Sequence, residues 1–190
     1  MKFFTKVPID TDIRLMCSDQ FLFTGSCFTE YIGQMMVDLG LQVAFNPHGI
    51  LFNPLSVAQS IEESLTGNNI EPDDLLNYNG TYFSWKHHTS VHESTDTGLI
   101  DRLVEDNKRF RSHLVNGNCL IITWGTAFYY KLIGEEKIVA NCHKQPAERF
   151  EKLFAMPDQI VELYCKLVRR IQQANPNLRL LLTISPVRHI

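Results

Sequence analysis

Phe21-Leu22-Phe23-Thr24-Gly25-Ser26-Cys27-Phe28 is the stretch on which the reading of this chain turns. Its first residues form a short apolar run, as expected of a buried strand. After it, apolar residues recur at Phe28, Ile32, Met35, Met36 and Leu39, the spacing of a helix face. Strand, glycine turn, serine and helix is the order in which α/β hydrolytic folds present a nucleophile. The glycine permits a sharp turn, the hydroxyl emerges at the C-terminal end of the strand, and the helix N-terminus favours developing negative charge. Serine is also a favoured helix cap. On these residues alone both readings of Ser26 stand.

Outward from this stretch the chain alternates. Gly40 closes the first helix, residues 42–45 read as a second strand, and Asn46-Pro47-His48-Gly49 as a loop. Asn53-Pro54 opens a helix with Asn as cap and Pro at the first position. Its apolar face is Leu55, Ala58, Ile61 and Leu65, and it stops near Gly67. The polar segment 66–80 reads as a surface loop or lid, and 82–85 as a strand. Leu99, Leu103, Phe110 and Leu114 mark a helix that ends at Asn116-Gly117. The run 119–124, CLIITW, is apolar without alternation, as in a strand covered on both faces. Segments 128–132 and 137–141 flank Gly134-Glu135-Glu136 as a hairpin. Ile160, Leu163, Leu167, Val168 and Ile171 define another helix, broken by Asn175-Pro176-Asn177 before a last, buried-looking strand at 178–184. Strands separated by helices imply βαβ units. The expectation is one α/β domain over residues 1–190: a three-layer, flavodoxin-like sandwich with a mainly parallel sheet and a small β-hairpin insert.

Composition narrows the function classes. The 190 residues are 44% hydrophobic and 21% charged with a formal net charge of −3, which suits an ordinary globular domain and lacks the basic face of a nucleic-acid binder. No apolar run approaches a membrane span. The opening MKFFTKVPIDTDIRLM lacks the continuous apolar core of a secretory signal. Five cysteines without CxxC spacing point to reduced thiols rather than a zinc ribbon or disulfide scaffold. These features lead to the expectation of a cytoplasmic protein with no cofactor, no nucleic-acid partner and no membrane partner.

Five segments in series, GSCFTEYIG (25–33), NPHGILFNPLSVAQSIEESL (46–65), TWGTAFYY (123–130), NCHKQPAERF (141–150) and TISPVRH (183–189), resemble the GSCFA family. In the name motif Thr29 replaces the family's usual Ala. That family looks like a branch of the SGNH hydrolases, serine esterases and acetylhydrolases on a flavodoxin-like sheet. The resemblance implies an ester substrate, such as an O-acetylated carbohydrate.

Sites in open α/β sheets gather at the C-terminal strand ends, where Ser26, Gly49, Gly125-Thr126 and Ser185-Pro186-Val187-Arg188-His189 all fall. Ester hydrolysis needs a nucleophile, a base and oxyanion donors. Ser26 fits the first, and its own N–H fits the last. By the resemblance, the Gly49 N–H and an Asn amide complete the donors. Ala127 stands where that Asn is expected, so Asn141 is the first substitute, with Asn46 and Asn53 behind it. In SGNH hydrolases the base comes from a C-terminal DxxH motif, which this sequence lacks. The expectation is therefore a domain truncated at its C-terminus, with the base beyond residue 190.

His143 and His189 are the histidines placed nearest the site, with Thr126, Arg188 and Lys144 as substrate contacts. Structural hydrogen bonding is the competing role for both histidines, an internal salt bridge for Arg188, and a salt bridge or plain solvation for Lys144. Two rival functions follow. One is a catalytically inactive binding protein on the same fold. The other is a metal-dependent hydrolase using His87, His88, His92 and His143, although the HHTSVH cluster reads more readily as a polar rim than as a metal centre.

Overall fold

The structure is a computed structural model that describes residues 14–67 and 70–185. Its centre is a sheet of four parallel strands: β1 (Gln20–Gly25), β2 (Gln42–Phe45), β6 (Cys119–Trp124) and β10 (Arg179–Ile184), in the order β10-β6-β1-β2. Counted along the chain the spatial order is 2-1-3-4, which the flavodoxin-like arrangement shares. Parallel neighbours need crossovers, and the four helices supply them. They are α1 (Cys27–Asp38), α2 (Pro54–Thr66), α3 (Asp96–Asn116) and α4 (Pro157–Ala174).

Residue alternation along the strands feeds two faces. Leu22, Leu120 and Ile122 point to a core built with Val57 and Ile61 of α2, Phe110 and Leu114 of α3, and Leu167 and Ile171 of α4. Phe21, Phe23, Cys119 and Ile121 point to the other face, where Ile32 and Met36 of α1 cover them. The architecture is thus helix, sheet, helix, as expected. The helix-face reading of α1 needs correction. Ile32 and Met36 pack on the sheet, whereas Phe28, Met35 and Leu39 are exposed.

The helix starts follow local chemistry. Asn53 caps α2 by accepting the Ser56 N–H at 2.8 Å, and Gly67 closes it in the left-handed region. Thr95 caps α3 through the Gly98 N–H. None of the helices among the described residues is long and apolar enough to cross a membrane.

Two antiparallel inserts depart from expectation. The polar segment 66–80 is not wholly a loop. It carries β3 (Leu75–Tyr78), which pairs with β4 (Thr81–Ser84), and β4 pairs with β5 (His92–Glu93). Lys86 anchors this sheet through ion pairs to Asp74 at 2.6 Å and Glu63 of α2 at 2.9 Å. The expected hairpin, β7 (Phe128–Leu132) with β8 (Ile138–Val139), gains a third strand, β9 (Phe150–Phe154), paired to β7. Phe-Glu-Lys-Leu-Phe is short and largely exposed, so its partner strand, not its own pattern, defines it. β10 also differs from its buried reading. Among the described strands it bonds to β6 alone, and Leu181, Leu182 and Ile184 are exposed.

Candidate active site

Gly25 sets the geometry at the head of β1. Its φ is +136°, and a Cβ there would lie 2.1 Å from the Thr123 carbonyl oxygen of β6. Only glycine fits this approach. The next residue, Ser26, takes extended backbone at the N-cap position of α1, yet its side chain makes no capping hydrogen bond. The cap reading of Ser26 therefore lacks its defining bond. The side chain lies against Gly125, where an added Cβ would come 3.3 Å from Ser26 Cβ.

Asn46 braces the turn. It sits in the left-handed region (φ 42°), and its Oδ1 accepts the Gly25 N–H and the Thr29 hydroxyl, both at 2.9 Å. The Thr29 hydroxyl also reaches the Ser26 carbonyl at 2.6 Å. Asn46 Nδ2 is buried without a partner. Among the three asparagines proposed from sequence, Asn46 is the one bonded beside Ser26. Asn53 is the α2 cap, and Asn141 holds Thr89 and the His143 N–H through its Oδ1, at 2.8 Å each.

The anticipated backbone donors are already committed. The Ser26 N–H donates to Thr123 O at 3.0 Å and the Gly49 N–H to Asn46 O at 2.8 Å. The N–H groups of Cys27 and Phe28 instead open α1, where first-turn donors have no intrahelical acceptor. Cys27 itself is exposed.

The histidines separate into buried and accessible groups. His143 is 1% exposed, and its Nε2 faces Ser84 O at 2.9 Å while Nδ1 faces the Thr89 hydroxyl at 3.3 Å. This is a structural arrangement, and burial pulls the His143 pKa down to about 4. His48 and His87 are also buried, their rings crossing edge-on with centroids 4.7 Å apart. Their Nδ1 atoms face Ser60 Oγ at 2.5 Å and Ser84 Oγ at 2.9 Å, respectively. Both Nε2 atoms are buried without partners. Burial lowers His48 to about 4 and His87 well below its ordinary value, with the neighbouring His48, Lys86, His143 and Arg102 adding to the effect on His87.

His88 differs. It lies half-buried in the segment between β4 and β5. Gly49 packs so closely on it that an added Cβ would meet His88 Cβ at 2.4 Å. Its Nδ1 bonds to Ser90 Oγ at 2.9 Å. Burial lowers its pKa, while the charge of Glu30, four residues beyond Ser26 on α1, works the other way. Sequence reasoning grouped His88 with the rim. The signal that singles it out is contact with Gly49, which exists only once the insert folds against the loop after β2. Among the described residues no three His, Cys, Asp or Glu side chains group to hold a metal ion.

Three buried neutral imidazoles make stability pH-dependent. In the unfolded chain each binds its proton near pH 6.5, whereas His48 and His143 in the fold bind theirs only near pH 4. Between those values the unfolded state holds more protons, so stability is full above about pH 6.5 and falls as pH drops towards 4. We expect the unfolding free energy from urea titration to fall between pH 7 and pH 4.5, by ~2–3 kcal/mol for each of His48 and His143. A free energy that stays flat over this range contradicts the burial of these rings.

Of the expected substrate contacts, Thr126 lines a cleft of about 480 Å³ with Trp124, Gly125 and Ala127. Lys144 is exposed, in the left-handed region beside His143. Arg188 and His189 lie outside the described residues. No curated protein and no solved structure matches the chain. The model of the GSCFA family matches residues 20–190, which include the strand, the Gly25-Ser26 turn and every loop around it. The chain belongs to the GSCFA family.

Proposed function

We propose that this protein is a serine hydrolase of the SGNH type that cleaves a small ester through Ser26. The observation that carries the reading is the serine itself. It stands between a strand end and a helix N-terminus with no capping bond, backed by a glycine that opens onto a cleft. In the first step Ser26 Oγ bonds to the carbonyl carbon as a base takes its proton. The carbon–oxygen bond to the alcohol then breaks, and the alcohol leaves with that proton. Water, deprotonated by the same base, next attacks the acyl-enzyme and releases the carboxylic acid and the serine.

The first-turn N–H of Cys27 and the Asn46 amide are the donors proposed for the oxyanion, in place of the committed Ser26 and Gly49 N–H groups. His88 is the proposed base among the described histidines, because its ring is half-buried rather than enclosed and it packs beside the Gly49 loop. A cytoplasmic location and a small-molecule or carbohydrate ester partner belong to the same proposal.

A second reading, a binding protein without catalysis, is favoured by Ala127. It occupies the expected donor position, and its carbonyl accepts the Ala155 N–H at 2.9 Å instead of serving a substrate. Treatment with a fluorophosphonate, followed by peptide mapping, separates the two. A hydrolase gives an adduct on Ser26 that is absent from Ser26→Ala. A folded protein that takes no adduct is a binding module.

A further inference from the structure

The cleft beside Ser26 has a chemical character that the general hydrolase reading does not specify. It lies over the C-terminal ends of β6 and β10, against the start of α4 and the end of β9. Trp124, Phe128, Phe154, Ile160, Val161 and Ile184 supply its walls, and no charged side chain is among its described lining residues. Three of these apolar side chains remain open to solvent: Phe154 is 50% exposed, Val161 61% and Ile184 73%. Large apolar groups left exposed around one concavity mark a binding surface rather than a core.

Several polar atoms of the wall are bonded within the protein. Trp124 Nε1 donates to the Tyr164 hydroxyl at 2.9 Å, which donates in turn to Pro54 O at 3.0 Å. The Gly125 and Thr126 N–H groups both donate to Phe52 O, at 2.8 and 3.1 Å. The Thr126 hydroxyl accepts the Phe128 N–H at 3.1 Å. A sugar placed here would give up its bonds to water and find the indole and backbone N–H donors already committed, with the Thr126 O–H left to donate, which disfavours it against a hydrocarbon chain. A hydrocarbon chain gives up nothing and gains burial.

Position then links the cleft to chemistry. Gly125 lines it and lies against Ser26, so the cleft begins one residue away from a carbonyl held at Ser26. An acetyl group would leave almost all of the 480 Å³ empty. At the ~30 Å³ that a water molecule takes up in the liquid, the cleft has room for at most about sixteen chain carbons, and a bent chain of roughly six to ten fills about half of this open concavity. We propose that this cleft is an acyl-chain site and that the substrates are esters of medium-length linear fatty acids, not acetyl esters. The proposal rests on the Ser26 hydrolase reading for its chemistry, while occupancy of the cleft by a chain does not.

The test uses 4-nitrophenyl esters from acetyl to decanoyl, together with octanamide binding. The chain has two tryptophans. Trp124 lines the cleft and Trp85 is buried elsewhere, so Trp124 emission reports occupancy. We expect kcat/KM to rise about 10²-fold from acetyl to octanoyl, short of the several-fold per methylene of full burial. Octanamide is expected to shift the emission of wild type and of Ser26→Ala, but not of Trp124→Phe, and acetamide is expected to shift none of them.

Ala127→Phe fills the cleft, and Val161→Glu sets a carboxylate at its mouth on an exposed helix position. Either is expected to bring the octanoyl-to-acetyl ratio near unity. A flat or falling chain-length profile on a protein that labels at Ser26 overturns the proposal, as does an emission spectrum unmoved by octanamide. Absence of both the Ser26 adduct and ester turnover at every length, with the octanamide shift intact, removes the hydrolase reading and leaves the chain site standing.

Discussion

Ser26→Ala is expected to lower ester turnover by ~10³-fold or more while leaving the melting temperature within about a degree of wild type. The two halves of this expectation are tied together. Had Ser26 been a helix cap, its removal would cost about 1 kcal/mol and visibly lower the melting temperature. The hydroxyl makes no such bond, so the first turn of α1 loses nothing when it goes. Its side chain lies against Gly125, a residue that lines the cleft. A substitution silent in stability and severe in activity is the signature of a group that acts on substrate. A fall in melting temperature with turnover unchanged would place Ser26 among the structural residues and end the nucleophile reading.

Gly25→Ala is expected to be the most destabilising single change near the site, by about 4 kcal/mol or more, with loss of the cooperative transition at moderate temperature. Two costs coincide. At φ +136° an L side chain is strained whatever the space around it, and here there is no space. The new methyl would overlap the Thr123 carbonyl oxygen at 2.1 Å. That carbonyl cannot step aside, because it receives the Ser26 N–H and belongs to the central pairing of β1 with β6. The Asn46 clamp on the Gly25 N–H would be lost with the turn. Urea unfolding of the purified variant measures the effect. A loss under 1 kcal/mol would show that the turn adapts and that its geometry is not set by this contact.

The same turn shows how far linear pattern reaches. Strand, glycine, serine and helix were legible because each is a local preference: apolar residues for the strand, backbone freedom for Gly25, and helical spacing after Ser26. Asn53-Pro54 was legible for the same reason, since a cap and an N1 proline act within four residues. β9 was not, because a short exposed segment becomes a strand only when β7 lies beside it. The exposed Phe28, Met35 and Leu39 misled the reading of α1, since periodicity cannot say which apolar residues find a partner surface.

The site divides along the same line. Ser26 and Gly25 could be named from the chain because their role follows from the turn that they make. The bonding of Asn46 rather than Asn141 beside Ser26, the commitment of the Gly49 N–H, and the contact between Gly49 and His88 depend on which loops meet. His143 reads as a candidate base in the chain and as a buried structural ring in the fold, because burial is a property of its neighbours. The sequence by itself determined the α/β alternation, the parallel sheet and the serine turn, all of which are encoded within a few residues. Only the tertiary structure decided which donors remain for a ligand and where the cleft opens, because hydrogen bonds and cavities form between segments far apart in the chain.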